Sequence, residues 1–377
     1  MQSGPVLIGM ALGLSLCLTA CAVNPATGRR QLSLIGQQEE ISMGQDADRH
    51  LAASLGLVKN RPLNDTVRRV GQTLAAHSER PGLPWTFRVV DDPVVNAFAL
   101  PGGFIYVTRG ILAHLASEAE LAGVLGHEIG HVTSRHSVHQ LSKARLAGVG
   151  LGLGRIFKPG LKKYDDLTQM GMGLLFLKYG RDDERQADDL GLKYMVRAGY
   201  SPASMVAVFK MLDQVSASGG GSTPAWLSTH PSPGDRLNRI QAEVAALKVK
   251  PDQGRTGGPE YLSLLDGLVY GENPRHGFFR GDTFYQPEMK FVFQFPSGWK
   301  HANQPGRVVA AAPAGGAQVE ITLSKEPTPA TAAAGFFASG KIRRGAAWKS
   351  RIHGRPAVRT ASVQAQGSRS WPALQLS

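Results

Sequence analysis

The sequence predicts an α+β fold: a mainly helical first domain that contains a small sheet, followed by a smaller α+β unit. Helical periodicity recurs through the first two thirds of the chain, where apolar residues return every three or four positions. Alternating β-rich runs occur at two places before residue 260 and at four places after it. A polar stretch with Pro and Gly, Lys248 to Pro259, separates the two parts. A chain of 377 residues is long enough for two domains with buried cores.

Residues 1–20 form an apolar run that contains no charged side chain and has the length of a secretory signal. The run is followed by Cys21, and the letters LTAC at this junction resemble a bacterial lipoprotein signal, whose cysteine becomes lipidated. We therefore expect a signal peptide over residues 1–20, a lipid anchor at Cys21 and a mature protein in the periplasm. Because Ala22 is not aspartate, the resemblance implies the outer membrane. The alternative is an uncleaved amphiphilic anchor.

The formal net charge of +13 indicates anionic surroundings, such as lipid head groups or cell-wall polymers. No nucleic-acid-binding motif occurs in the sequence, so we expect no nucleic-acid partner. Past Glu326 the sequence contains no acidic residue, whereas these basic residues recur: Lys341, Arg343, Arg344, Lys349, Arg351, Arg355, Arg359 and Arg369. This basic C-terminus is a candidate contact for anionic lipid or peptidoglycan. The alternative is a domain whose last strands are missing, which leaves a frayed end.

The elements that precede the central motif are two helices and two strands. Periodicity predicts helices over Gly36–Leu57 and Arg61–Arg80, and residues Trp85–Val90 alternate as in a strand. A sharp Pro-Gly-Gly turn then introduces a β-rich run over Phe104–Thr108.

We interpret this second run as an exposed edge strand at the rim of a cleft, where an extended peptide binds through backbone groups. The contacts expected are Asn96, Gly103, Phe104, Ile105 and Tyr106. An ordinary core strand is an equally compatible interpretation of the run. Asn96 either offers its amide to the cleft or caps a turn.

The central motif is the H-E-x-x-H pattern of His127, Glu128 and His131. On a helix, residues four apart lie on one face, so both imidazoles can bind one ion. Zinc prefers such ligands, and a catalytic zinc keeps a position open for water. Glu128 lies beside them, free to take a proton from that water.

The surroundings of this motif decide between a metal site and a surface helix with two histidines. The preceding residues are small and apolar, from Leu121 to Gly126, which indicates a buried helix whose histidines need a partner. A capping box that starts at Ser117 marks the beginning of the helix, which we expect to run to about Ala144. On that continuous helix His136 lies about half a turn from His127, so we expect it and His139 to be solvated or salt-bridged non-ligands.

A second acidic segment opens a helix over residues 182–197. Its acidic residues either complement the helix dipole or include the third zinc ligand, Glu184. Asp188, one turn later, can orient a ligand imidazole. Between the two helices, the glycine-rich segment from Leu146 to Phe157 is either a loop over the cleft or a segment at the membrane surface; it is too short to span.

Three segments together are similar to metallopeptidase family 48, the group of the HtpX and CAAX-prenyl proteases, in its periplasmic soluble branch. They read HEIGH, ERQAD and NAFALPGG, and the resemblance covers about residues 24–245. It implies a gluzincin fold with one zinc ion per chain on His127, His131 and Glu184, Glu128 as general base, and a substrate strand near Gly103–Thr108.

The activity that this resemblance implies is zinc-dependent endopeptidase cleavage of misfolded cell-envelope proteins. The corresponding domains are a protease domain over residues 21–250 and a C-terminal α+β domain over residues 260–377. A catalytically latent scaffold that binds client proteins, in the manner of a chaperone, is the alternative function.

A His-Pro segment that starts at His230 resembles one that folds back over the active site in the soluble branch. His230 then either approaches the open zinc position and keeps the enzyme latent, or stabilises the oxyanion of the substrate. A plain turn histidine is the alternative. Arg236 is expected to bind a substrate carboxylate or to pair with Asp182 or Asp183.

Overall fold

The computed structural model describes residues 21–146, 178–218, 226, 230, 233–250, 252–304, 307–313, 317–324, 326–338, 342–352, 355–364 and 371–376. The signal peptide expected over residues 1–20 lies outside the described residues, as does the glycine-rich segment from residue 147 onward. In the part of the chain that is described, no helix is both long enough and apolar enough to cross a membrane.

The chain divides into two compact units between Asn273 and Pro274. The sequence placed the second domain from residue 260, but the helix at Gly258–Leu264 packs on the first unit. Its residue Tyr261 is buried, and the hydroxyl donates a hydrogen bond of 2.8 Å to the carbonyl of Leu112. A buried aromatic anchor therefore extends the first unit beyond the polar stretch that suggested a boundary.

The first unit is mainly helical, as the sequence predicted. Its described helices are α1 (Gln37–Leu55), α2 (Arg61–Ala76), α3 (Arg109–Leu112), α4 (Glu118–Thr133), α5 (His136–Leu146), α6 (Arg181–Arg197), α7 (Ala203–Ser218), α8 (Pro233–Ala246) and α9 (Gly258–Leu264). The apolar residues of α2 that recur every three or four positions, such as Val67, Val70 and Leu74, are buried. With the apolar residues of α4 they form the main core. That core holds the H-E-x-x-H helix in the interior.

Two small sheets accompany these helices. A hairpin pairs β1 (Cys21–Val23) with β2 (Arg30–Leu32), and a second sheet has the order β3 (Thr86–Val90), β5 (Phe104–Thr108), β4 (Ala97–Leu100). β5 runs parallel to β3 and antiparallel to β4.

The interpretation of Phe104–Thr108 as an edge strand was wrong. Both sides of β5 are paired, and Phe104, Ile105 and Tyr106 are buried, so their backbone groups are not available to a peptide. Gly103 is buried in the preceding turn, where its carbonyl accepts from the amide of Thr86. The edges of this sheet are β3 and β4, and β4 is the edge that contacts α4.

The zinc helix is shorter than expected: it ends at Thr133, and α5 begins at His136 after a break. Arg135 has a left-handed backbone (φ 59°), which ends the regular helix. The carbonyl of Ser134 accepts hydrogen bonds from the side-chain amides of Asn24 (3.3 Å) and Gln31 (3.1 Å). Contacts from far along the sequence therefore hold the break.

A buried carboxylate also holds the break. Glu40 on α1 is 1 % exposed and accepts hydrogen bonds from Arg80 (2.8 and 3.0 Å) and from Arg135 (2.9 Å). We expect Glu40→Ala to lower the free energy of unfolding by about 3–5 kcal/mol, because it leaves two buried guanidinium groups without their partner. Chemical denaturation measures the change.

The neighbouring carboxylate provides the control for this substitution. The side chain of Glu39 is 46 % exposed and lies 3.7 Å from Arg145, so Glu39→Ala should change stability by less than about 1 kcal/mol. Similar losses in the two variants would show that the buried pairs at Glu40 are not the source of the stability.

The second unit contains three antiparallel three-stranded sheets and a helix. The sheets are β6 (Phe278–Arg280), β7 (Thr283–Gln286) and β8 (Phe291–Gln294); β9 (Lys300–Gln304), β10 (Arg307–Ala311) and β11 (Gln318–Thr322); and β12 (Ile342–Ile352), β13 (Arg355–Gln364) and β14 (Trp371–Leu376). Helix α10 (Pro329–Ala338) precedes the last sheet. Strands β12, β13 and β14 lie within the basic C-terminal segment.

Candidate metal centre

Four buried side chains converge between α4 and α6: His127, His131, Glu184 and His230. One potential ligand atom from each lies within 4.8 Å of the others. The Nε2 atoms of His127 and His131 are 3.0 Å apart. The carboxylate of Glu184 places Oε1 3.4 Å from His131 Nε2 and Oε2 3.7 Å from His127 Nε2. The structure therefore brings together the two histidines and the distant glutamate that the sequence singled out.

Small residues allow α4 and α6 to approach so closely. A Cβ atom added at Gly130 would lie 2.8 Å from the carbonyl oxygen of Ala187, and one added at Gly191 would lie 2.9 Å from the amide nitrogen of His127. The backbones of the two helices are thus in direct contact. This contact brings Glu184, at the start of α6, to the two imidazoles of α4.

Asp188 orients His127. Its Oδ1 atom lies 2.9 Å from Nδ1 of His127, and both of its oxygens accept from Arg236 (2.6 and 2.9 Å). Burial disfavours the charged carboxylate, but Arg236 and His127 outweigh it and hold the pKa of Asp188 well below its ordinary value. An ionised carboxylate only accepts, so His127 Nδ1 carries the proton and Nε2 presents its lone pair to the cluster.

Arg236 lies behind the metal ligands rather than in a substrate cleft. Its side chain is buried, and its Nη1 atom is 2.7 Å from Oε2 of Glu184, an ion contact that is not aligned as a hydrogen bond. The expectation of a substrate carboxylate or of Asp182 and Asp183 as its partner was wrong. Two arginines of α8, Arg236 and Arg239, form ion pairs with Asp188 of α6.

His136 is buried rather than solvated, and it contacts a metal-ligand candidate directly; of the two predicted surroundings, the structure has the ionic one, with Asp183 Oδ1 3.7 Å from its Nε2 atom. Its Nδ1 atom lies 2.9 Å from Nδ1 of His131, and its Nε2 atom lies 2.9 Å from Oε1 of Gln186. Burial lowers the pKa of His136, despite the nearby carboxylate of Asp183. A continuous helix was predicted over these residues, and on such a helix His136 would point away from His131. His139, also expected to be a solvated or salt-bridged non-ligand, is half-buried, and its Nδ1 atom lies 3.1 Å from the carbonyl oxygen of Leu32.

Glu128 is fully buried, yet neither of its oxygens has a hydrogen-bond partner among the described residues. Burial raises the pKa of its carboxyl to about 7. His230 Nε2 lies 3.7 Å from Oε1 of Glu128, but no hydrogen bond compensates the burial of this carboxyl, which is costly for stability. A pKa near neutrality is what a general base requires, so the unfavourable environment suits proton transfer.

His230 is the fourth member of the cluster. Its Nδ1 atom lies 2.9 Å from Glu184 Oε1, and its ring stacks on Trp226 at 4.4 Å between centroids. Burial lowers the pKa of His230, but Glu184 and then Glu128 outweigh that effect, and the pKa is raised. The backbone amide of Trp226 donates to the carbonyl of Val95 (3.3 Å), so Trp226 lies beside the start of β4.

Asn96 precedes β4 and is half-buried. Its backbone amide donates to the hydroxyl of Thr108 (3.2 Å), whereas its side-chain oxygen is buried without a hydrogen-bond partner among the described residues. Among the described residues, this side-chain oxygen is thus left without the donor that a buried amide oxygen usually has.

The donor set fits a zinc ion. Burial lowers the pKa of His127 to about 4 and that of His131 well below its ordinary value, so both rings are neutral, as metal ligands must be. Nε2 of His127 presents its lone pair 3.0 Å from Nε2 of His131, close enough for one ion to contact both nitrogens. Oε2 of Glu184 also lacks a hydrogen bond. Imidazole nitrogens with one carboxylate are a ligand set that zinc prefers.

Comparisons with known proteins agree with this site. Residues 62–244 match the sequence profile of Peptidase family M48. The chain is 31% identical to the mitochondrial metalloendopeptidase OMA1 of Schizosaccharomyces pombe over 236 residues, which cover 60% of this chain and 67% of that protein.

Two further relatives are longer than the region they share. The chain is 35% identical to the mitochondrial metalloendopeptidase OMA1 of Arabidopsis thaliana, over 50% of this chain and 38% of that protein. It is 30% identical to the beta-barrel assembly-enhancing protease of Escherichia coli K12, over 63% of this chain and 50% of that protein. The chain thus spans about half or less of the length of these two relatives. The chain belongs to peptidase family M48.

Proposed function

We propose that this chain is an endopeptidase that hydrolyses peptide bonds of unfolded or misfolded cell-envelope proteins. The observation that carries the proposal is the buried carboxyl of Glu128, which has no hydrogen-bond partner among the described residues and lies beside the cluster of His127, His131 and Glu184. The name of the related beta-barrel assembly-enhancing protease supports envelope substrates, and the name metalloendopeptidase supports internal cleavage.

Zinc and the side chains of the protein would contribute different steps of the hydrolysis. When bound by His127, His131 and Glu184, zinc supplies a Lewis acid that polarises the scissile carbonyl and acidifies water. Glu128 takes the proton of the attacking water and returns it to the leaving amine. Asp188 and Arg236 keep the Nε2 lone pair of His127 directed at the centre.

The free edge of β4 is the surface that suits an extended substrate. Among the described strands β4 pairs with β5 alone, and it packs against α4, the helix that carries Glu128. A substrate strand added there would form backbone hydrogen bonds with β4, which gives affinity for many sequences.

The second candidate function is a latent scaffold that binds clients, and the position of His230 favours it. Its imidazole occupies the cluster where a zinc peptidase keeps an open position, and Trp226, on which its ring stacks, bonds to Val95. Latency and hydrolysis are compatible if the imidazole leaves the cluster when substrate binds.

We expect His230→Ala to hydrolyse an unfolded protein such as reduced casein several-fold faster than the wild type, because the open position is freed. Peptide release and zinc content are measured together. His114→Ala is the control, since His114 bonds to Gly110 outside the cluster. A loss of activity at normal zinc content would assign His230 to the reaction itself. If neither wild type nor His230→Ala cuts the casein that it binds, the endopeptidase proposal fails.

We further propose that the protein is periplasmic, with a lipid on Cys21 that anchors it to the outer membrane. The lipoprotein-like junction at Cys21 supports the anchor, and the bacterial relatives support the envelope. Contact of the basic C-terminus with anionic lipid or peptidoglycan remains part of this proposal.

A further inference from the structure

We propose that His136 is a positioning residue for the metal: it fixes the tautomer of His131 so that Nε2 faces the zinc. The inference rests on the zinc centre of the proposed function and adds a residue to it. The two rings meet through their Nδ1 atoms, 2.9 Å apart, and both are buried. One of these nitrogens must donate and the other must accept, so the contact is a hydrogen bond with a defined direction.

Gln186 sets that direction. Its carbonyl oxygen Oε1, which only accepts, lies 2.9 Å from Nε2 of His136, so this nitrogen carries the proton. The Oδ1 atom of Asp183, 3.7 Å from the same nitrogen, favours the same tautomer. Nδ1 of His136 is then an acceptor, and His131 donates to it from Nδ1. The Nε2 lone pair of His131 is left for the metal.

The break between α4 and α5 makes this contact possible. On a continuous helix, a residue five positions after His131 points about 140° away from it. The left-handed backbone at Arg135 turns the chain so that the two rings meet edge to face, with centroids 5.0 Å apart. The bonds of Asn24 and Gln31 to Ser134 hold that turn.

The two histidines that would bind zinc are therefore oriented by different hydrogen-bond acceptors. His127 donates to the carboxylate of Asp188, whereas His131 donates to a neutral ring. A carboxylate in place of His136 would add a fourth negative group to a buried site that already holds Glu128, Glu184 and Asp188. A histidine supplies the acceptor without that charge.

The test measures zinc affinity of the full chain by competition with a chelating dye. We expect His136→Leu to weaken zinc binding about 10–100-fold, as loss of an outer hydrogen-bond partner does. His136→Asn should restore most of the affinity, because its Oδ1 atom takes the place of Nδ1 as acceptor. His139→Leu is the matched control: His139 lies on the same helix and bonds only the carbonyl of Leu32 among the contacts described.

A second measurement needs no variant. Nitrogen-15 NMR of the zinc-loaded wild type should show His131 protonated on Nδ1 and His136 protonated on Nε2. A proton on Nδ1 of His136, a loss below about tenfold in His136→Leu, or equal losses in His136→Leu and His136→Asn each overturns the proposal. None of these readouts depends on peptide hydrolysis, so failure of the proposed function would be recognised separately.

Discussion

Glu128→Gln is expected to reduce peptide hydrolysis by about 10²–10⁴-fold while bound zinc stays near one ion per chain. The amide has the shape of the carboxylate but cannot accept the proton of the attacking water. Zinc binding should persist because the buried metal-ligand cluster consists of His127, His131, Glu184 and His230, without Glu128. Hydrolysis of an unfolded protein and metal analysis of the same sample provide the two measurements.

A stability measurement on the same variant separates catalysis from folding. Because burial raises the pKa of Glu128, its charged form is disfavoured in the folded protein, and the neutral amide should maintain or increase the thermal midpoint. Glu39→Gln, on an exposed face of α1, should leave activity unchanged. Substantial hydrolysis by Glu128→Gln would remove Glu128 from the role of general base.

Glu184→Ala is expected to lower zinc affinity by more than the about 10–100-fold typical of an outer hydrogen-bond partner, since it removes a direct ligand candidate. Both carboxylate oxygens of Glu184 approach the cluster, and no other described carboxylate belongs to it. The two remaining imidazoles and His230 would then hold the ion without a negative ligand. Metal content after dialysis against a weak chelator measures the loss.

The matched control is Asp182→Ala, in the same first turn of α6. The Asp182 side chain is 98 % exposed, so its removal should leave zinc content unchanged. Unchanged zinc in Glu184→Ala would take Glu184 out of the ligand set and leave His230 as the third ligand.

Local sequence patterns were sufficient for the parts of the site that lie on regular helices. His127 and His131 share a face because they are four residues apart, and Glu184 and Asp188 do so for the same reason. The apolar stripe of α2 is buried as its period predicts. In such elements the geometry follows from the spacing alone.

The errors occurred where distant segments decide the geometry. Whether Phe104–Thr108 is an edge or a centre depends on pairing with β3 and β4, which alternation of residue types does not reveal. The position of His136 depends on the break at Arg135, which Glu40 holds from 95 residues away in sequence. Arg236 of α8 pairs with Asp188 of α6, and no local sequence pattern specifies that partner.

The contacts that complete the metal centre also fix when it can form. The H-E-x-x-H helix depends on Asn24 and Glu40 at one end of the chain, and Asp188 depends on Arg236 near the end of the peptidase domain. Such long-range contacts form late, because loop closure costs entropy before they contribute stability. A partly folded chain therefore holds the H-E-x-x-H motif without the complete metal-ligand cluster. The cluster is complete only when segments from residue 24 to residue 236 have packed together.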